Sequence, residues 1–191
     1  MKKFGIAFLS LCLLSGCFFG RSPVSNFFLL ESVSSKEVVS SKKISLLVEP
    51  IVIPDLIYKP QIVLKEKEQS RILISEFNRW AEPLPDVLRQ TLVDDLQVYL
   101  PNAYIKPLLY TTDISDYNYK LYVEINHFIG VFSGEAVLDV WWSLKDKNDV
   151  VVLKEKTALS MPIKDTYQSY IEAQSQLIGK LSKAIAEKIA F

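Results

Sequence analysis

From Tyr119 onward the apolar residues recur at every second position, and this period constrains the fold more than any other stretch. Tyr119, Leu121, Val123, Ile125 and His127 share one strand face. After a reversal marked by Gly130 and Gly134, Ala136, Leu138, Val140, Trp142 and Leu144 share another. Asp146-Lys147-Asn148-Asp149 is a polar turn, and Val150 to Met161 returns as a third strand. Strands joined by short turns, each apolar on one face, form an antiparallel meander with one side packed. The period then changes to 3.6. Asp165 followed by Gln168 reads as a capping box, and Tyr167, Ile171, Gln174, Ile178, Leu181, Ile185 and Ile189 form one helical stripe. An earlier helix has the same character: Pro83 suits a first helical position, Leu84, Val87, Leu88, Thr91, Leu92, Leu96 and Tyr99 keep the spacing, and Pro101-Asn102 ends it. Two amphipathic helices must bury their stripes, and the meander must cover its apolar face. The pattern predicts an α/β sandwich: a mostly antiparallel sheet with both helices on one face.

The remaining segments supply further strands. Asn26 to Val33 is apolar and aromatic, Ile44 to Ile53 favours extended structure, and Tyr104 to Lys106 is a short strand. Gln61 to Lys65 and Arg71 to Ser75 read as hairpin arms around the charged tip Glu66-Lys67-Glu68-Gln69-Ser70. Ser34 to Lys43 and Tyr110 to Asp116 read as loops. With 191 residues, 49% of them hydrophobic, the chain can build one real core, and no internal repeat or second domain is visible.

The start of the chain is set apart. Lys2 and Lys3 precede an apolar run from Phe4 to Leu14, too short for a stable bilayer span and typical of an export signal. It ends in Leu14-Ser15-Gly16-Cys17, which resembles the lipobox of bacterial lipoproteins. That resemblance implies cleavage before Cys17, a diacylglycerol on its thiol and acylation of the new amino group. Residues 1–16 are then a signal peptide, 17–25 a lipidated tether and 26–191 the folded domain. Fully extended, Cys17 to Phe27 reaches about 35 Å, so the domain is expected to work close to its membrane. Phe18 follows the cysteine where an aspartate favours inner-membrane retention, which points to the outer membrane. Removing Lys2 and Lys3 changes the balance from 22 basic and 22 acidic side chains to 20 against 22. No basic stripe remains for nucleic acid. Cys12 leaves with the signal, so the mature body has no thiol for disulfides, cysteine catalysis or thiolate metal sites.

Chemistry-bearing constellations are scarce. His127 reads as an inward, structural histidine without a nucleophile beside it, and no Gly-x-Ser-x-Gly, Walker or dinucleotide pattern occurs. Clustered metal ligands and calcium loops are absent from the sequence, and Asp94-Asp95 reads as surface charge. No cofactor is expected. The reversal Phe128-Ile129-Gly130-Val131-Phe132-Ser133-Gly134 is unusually apolar for a turn. Either it folds under a neighbouring element, or Phe128 and Phe132 meet a partner.

The runs Val52-Ile53-Pro54-Asp55, Lys59-Pro60-Gln61-Ile62-Val63 and Glu76-Phe77-Asn78-Arg79-Trp80-Ala81-Glu82-Pro83-Leu84 resemble the ABC-transport auxiliary lipoproteins, the PqiC or paraquat-inducible lipoprotein family. The Phe27-Phe28-Leu29-Leu30 strand, Trp141-Trp142 and the tyrosine-bearing last helix fit the same pattern. Asn78 stands where an acid is common. The resemblance implies a domain like the amino-terminal one of TolB and a non-enzymatic periplasmic component of a lipid-trafficking, membrane-integrity system. It implies as partners a mammalian-cell-entry (MCE) domain protein and integral membrane or ABC-transporter subunits; homo-oligomerisation stays open. Two roles follow: a docking adaptor for the MCE protein at the outer membrane, or a lipid carrier with an acyl-sized cavity between helices and sheet. Within the motif, Arg79 and Trp80 are candidate partner contacts, and the competing reading is architectural, with Trp80 closing the core edge and Pro83 starting a helix.

Overall fold

A computed structural model describes residues 23–32, 37–67, 71–108 and 117–190. The signal and Cys17, the hairpin tip Glu68-Gln69-Ser70 and the Tyr110–Asp116 loop lie outside these residues. Ten elements run in the order β1 (Asn26–Phe28), β2 (Ser45–Val48), β3 (Gln61–Lys65), β4 (Ile72–Trp80), α1 (Leu84–Tyr99), β5 (Tyr104–Pro107), β6 (Tyr119–Gly130), β7 (Glu135–Asp146), β8 (Val151–Pro162) and α2 (Tyr167–Ile189).

The strands form two sheets. One has the order β5-β2-β6-β7-β8, the other β1-β4-β3. The meander β6-β7-β8 is antiparallel as its alternation requires. The sheet is more mixed than expected, however, because β2 runs parallel to both β5 and β6, and β1 runs parallel to β4. Parallel neighbours need long crossovers, and α1 with its flanking segments supplies one between β2 and β5. The expected Ile44–Ile53 strand is interrupted. Glu49 N donates to Leu121 O, Pro50 has no N–H to continue the ladder, and pairing resumes only at Val52, whose N–H reaches Val123 O. Conversely β4 runs beyond Ser75 to Trp80, with extra residues bulged between its Val63–Ile74 and Gln61–Arg79 pairings to β3.

Both helices pack side by side on one face of the large sheet. Leu88, Leu92 and Leu96 of α1 and Leu177, Leu181 and Ile185 of α2 meet Leu46, Leu121, Leu138 and Trp142 of the strands, all buried. Each such side chain contributes roughly 1.5–3 kcal/mol on burial. Pro83 caps α1 rather than opening it, its carbonyl accepting from Asp86 N and Val87 N, and Pro85 sits in the first turn. α2 is capped by Thr166, one residue later than the expected Asp165, with Ser169 N donating to Thr166 Oγ1 at 3.1 Å. Asp95 is not surface charge. It is fully buried between the helices, its carboxylate accepting from Ser32 Oγ and, at 3.4 Å, from Ser182 Oγ.

A bulge in β6 moves two residues across the sheet. Ile125 pairs with Val140 and His127 with Asp139, so Asn126 is an extra residue on β6. One extra residue reverses the alternation beyond it. His127, expected inward, is exposed, and Phe128, expected at a surface reversal, points into the core.

Candidate partner-binding site

The residues singled out from sequence divide between the core and the surface. Trp80 and Phe128, both candidate partner contacts, are 4% and 2% exposed, so nearly all of each side chain lies in the core. Trp80 at the end of β4 lies against Phe128 with ring centroids 6.1 Å apart, and Phe128 stands edge-on to Tyr170 of α2 at 6.4 Å. Phe132 is partly buried, its ring perpendicular to Tyr167 at 5.1 Å, while Phe28 meets the same tyrosine at 6.5 Å. Pairs of this geometry are worth about 0.5–1.5 kcal/mol beyond their buried area. The apolar reversal is therefore folded under α2, the alternative that the sequence left open. Tyr170 is enclosed, burial pushes its phenol well up, and its hydroxyl faces Phe128 O at 3.5 Å.

Arg79 keeps a partly exposed side chain, its Nε 3.3 Å from Glu76 O. The residues that follow it in the motif build a groove of about 350 Å³, lined mostly by Tyr58, Pro60, Trp80, Pro83, Leu84 and Pro85. Its backbone is pinned on both sides: Trp80 N donates to Pro60 O at 2.7 Å, and Ala81 N to Phe28 O at 2.9 Å. Trp80 is the floor, Tyr58 stands 65% exposed on the wall, and Lys59 and Glu82 border the rim with opposite charges. Such a concave apolar surface with polar groups at its rim suits an extended protein segment. The sequence signal for it was available in the prolines at 60, 83 and 85 around one tyrosine and one tryptophan, but those residues come together only when β3 and β4 pair.

A second surface went unread. Trp141 occupies an outward position of β7, where alternation calls for a polar residue, and is partly exposed. Lys154 Nζ lies 5.4 Å from its ring centroid, and Tyr122, Val52 and Asn126 complete a shallow groove. On the same sheet face Asp139 sits between Lys156 Nζ at 3.0 Å and His127 Nδ1 at 3.6 Å. Burial works against its charge, but the hydrogen bond and charge of Lys156, together with hydrogen bonds from Asn126 and His127, outweigh it and hold the carboxyl below its usual range. His127 is thus one edge of a surface polar cluster around Asp139. Among the described residues no group of three His, Cys, Asp or Glu could hold a metal ion.

The family model for "ABC-type transport auxiliary lipoprotein component" matches residues 28–186. The chain belongs to that family. Family membership makes it an auxiliary lipoprotein component of an ABC-type transport system, one that works alongside other subunits. The intermembrane transport lipoprotein PqiC of Escherichia coli (strain K12) is 26% identical over 194 residues, covering 99% of this chain and 98% of the relative. The Shigella flexneri PqiC is equally similar. Among solved structures, one described as an uncharacterized protein is 25% identical with a TM-score of 0.71, covering 87% of this chain and 99% of that one. Protein XCC0632 from Xanthomonas campestris shares the fold at 14% identity, with a TM-score of 0.70 over 86% of this chain and 95% of that one. No helix among the described residues is long and apolar enough to cross a membrane.

Proposed function

We propose that this auxiliary lipoprotein is held at the periplasmic face of the outer membrane by acyl chains on Cys17 and acts there without catalysis, docking an MCE-domain protein of a lipid-transport system that maintains membrane integrity. The observation that carries the adaptor role is the filled interior. A carrier would need acyl-sized space between helices and sheet, and that layer is occupied by Trp142, Tyr170, Phe128, Leu46, Leu121 and Leu138, each under 2% exposed or close to it. What remains for binding is surface, and the groove at Tyr58, Pro60 and Pro85 lies within the stretch that carries the family resemblance. The likeness to proteins called intermembrane transport lipoproteins supports the same reading.

The test separates floor from wall. Tyr58→Ala and Arg79→Ala are expected to keep the wild-type melting temperature and weaken pull-down of the MCE partner, since exposed aromatic and arginine contacts are where interface truncations cost most, ~2 kcal/mol or more. Trp80→Ala is expected to lower fold stability by roughly 3–5 kcal/mol, as loss of a core tryptophan does. Wild-type partner affinity in Tyr58→Ala would remove the groove as the docking site, and wild-type affinity in Arg79→Ala would remove Arg79 as a contact.

A further inference from the structure

The edge strand β1 leaves an apolar strip uncovered where the chain enters the domain. Val24 is 85% exposed, Phe27 64%, Leu29 47% and Phe77 37%. β1 is the outer strand of the small sheet, so among the described residues nothing pairs its free edge within that sheet. Phe27 pairs in register with Arg79. Phe77 lies two residues back along β4 from Arg79 and is exposed as well. Leu29 continues the strip toward a cleft of about 440 Å³, whose α2 side carries Gln168, Glu172 and Gln176. The strip is therefore apolar with a polar margin.

Its place in the chain identifies what covers it. Val24 is seven residues after Cys17, a span of at most about 25 Å fully extended. Phe18 and Phe19 make the first part of that span apolar, and Arg21 adds a positive charge before Val24. A strip this close to an acyl anchor faces a lipid surface at high local concentration, and amphipathic aromatic and aliphatic side chains partition to the headgroup–acyl boundary. We infer that Val24, Phe27, Leu29 and Phe77 dock the domain on the lipid surface that holds its anchor, fixing the domain's orientation instead of leaving it to swing on the tether. This rests on acylation of Cys17. It sets the opposite end of the meander, at the Asp146–Asp149 turn, away from the membrane: β6 has twelve residues, which is about 40 Å at 3.2–3.4 Å each.

The experiment uses the full chain, exported, processed and reconstituted in phosphatidylethanolamine–phosphatidylglycerol vesicles. With Cys17 acylated, a single introduced cysteine is the one free thiol. Leu29→Cys, Phe77→Cys and, as the distal control, Lys147→Cys are labelled with an environment-sensitive fluorophore, after melting curves confirm the wild-type fold. Blue-shifted emission and quenching by doxyl-labelled lipids at positions 29 and 77, with neither at 147, are the expected results. Water-like emission at 29 and 77 on vesicle-bound protein overturns the docking edge while leaving the anchor intact. Shielding from aqueous iodide without doxyl quenching assigns the strip to a protein contact and likewise overturns it. An intact mass without acyl chains, from protein that fails to float with vesicles, overturns the anchor and with it this surface.

Discussion

Gly130 ends β6 beneath the ring of Tyr170, and a Cβ added there would come within 2.6 Å of Tyr170 Cδ2, 2.8 Å of Cε2 and 3.2 Å of Ile163 Cδ1. An alanine in a strand ordinarily gains about 0.5–1 kcal/mol over glycine. Here a rigid aromatic ring, itself held by Phe128, must shift, and overpacking of this kind costs about 1–3 kcal/mol. Gly130→Ala is therefore expected to lower the urea midpoint at unchanged slope, and trimming the ring with Tyr170→Leu should make the two losses less than additive. Asp139 gives a pH-dependent counterpart. Its folded carboxyl titrates below the ordinary 3.8, so its contribution is complete above that value and is lost as pH falls through the folded one. The melting-temperature gap between wild type and Asp139→Asn should be open at pH 6 and close below about pH 3.8; a gap independent of pH would show that the Lys156 pairing contributes nothing. Single residues were where the sequence misled most. His127 and Phe128 exchanged faces because of one bulged asparagine, and Asp95 reads as surface charge until Ser32 and Ser182 arrive from distant segments.

The helices and the meander were legible because their periods extend over twelve or more residues, far enough for apolar spacing to outweigh local exceptions. Short strands were not. β1 keeps three residues of an expected eight, since its pairing depends on how far β4 runs, and Pro50 divides what composition alone presents as one strand. Caps fall between these cases. Both Asp165 and Thr166 are plausible N-cap residues by type, and only the backbone decides: Thr166 is extended, and its hydroxyl accepts from Ser169 N, while Ser169 Oγ accepts from Lys164 N at 3.0 Å. Thr166→Ala is expected to cost about 0.5–2 kcal/mol, whereas Asp165→Ala stays within about 0.5 kcal/mol. Equal losses from the two substitutions, measured by chemical denaturation, would return the cap to Asp165.

Taken whole, the described domain has a closed interior, and the contacts proposed for it lie on its surface. The family stretch was legible as a motif, but its division of labour was not, because burial of Trp80 depends on Phe128 arriving from β6 and on the bulge that turns it inward. Cys17 lies outside the described residues, so anchoring is tested by chemistry. The described fold begins at Asn26, nine residues after Cys17, and no contact among the described elements depends on that thiol. Removing it should therefore spare the fold. At about 0.8 kcal/mol per buried CH₂, two or more acyl chains hold a protein at a bilayer essentially permanently, whereas an exposed strip of a few apolar side chains gives only weak, reversible contact. Cys17→Ala is expected to keep the wild-type melting temperature, to lack acyl mass, and to leave the membrane fraction on a carbonate wash that the wild type resists. A Cys17→Ala protein that withstands the wash in outer-membrane fractions would mean that something other than acylation anchors this chain.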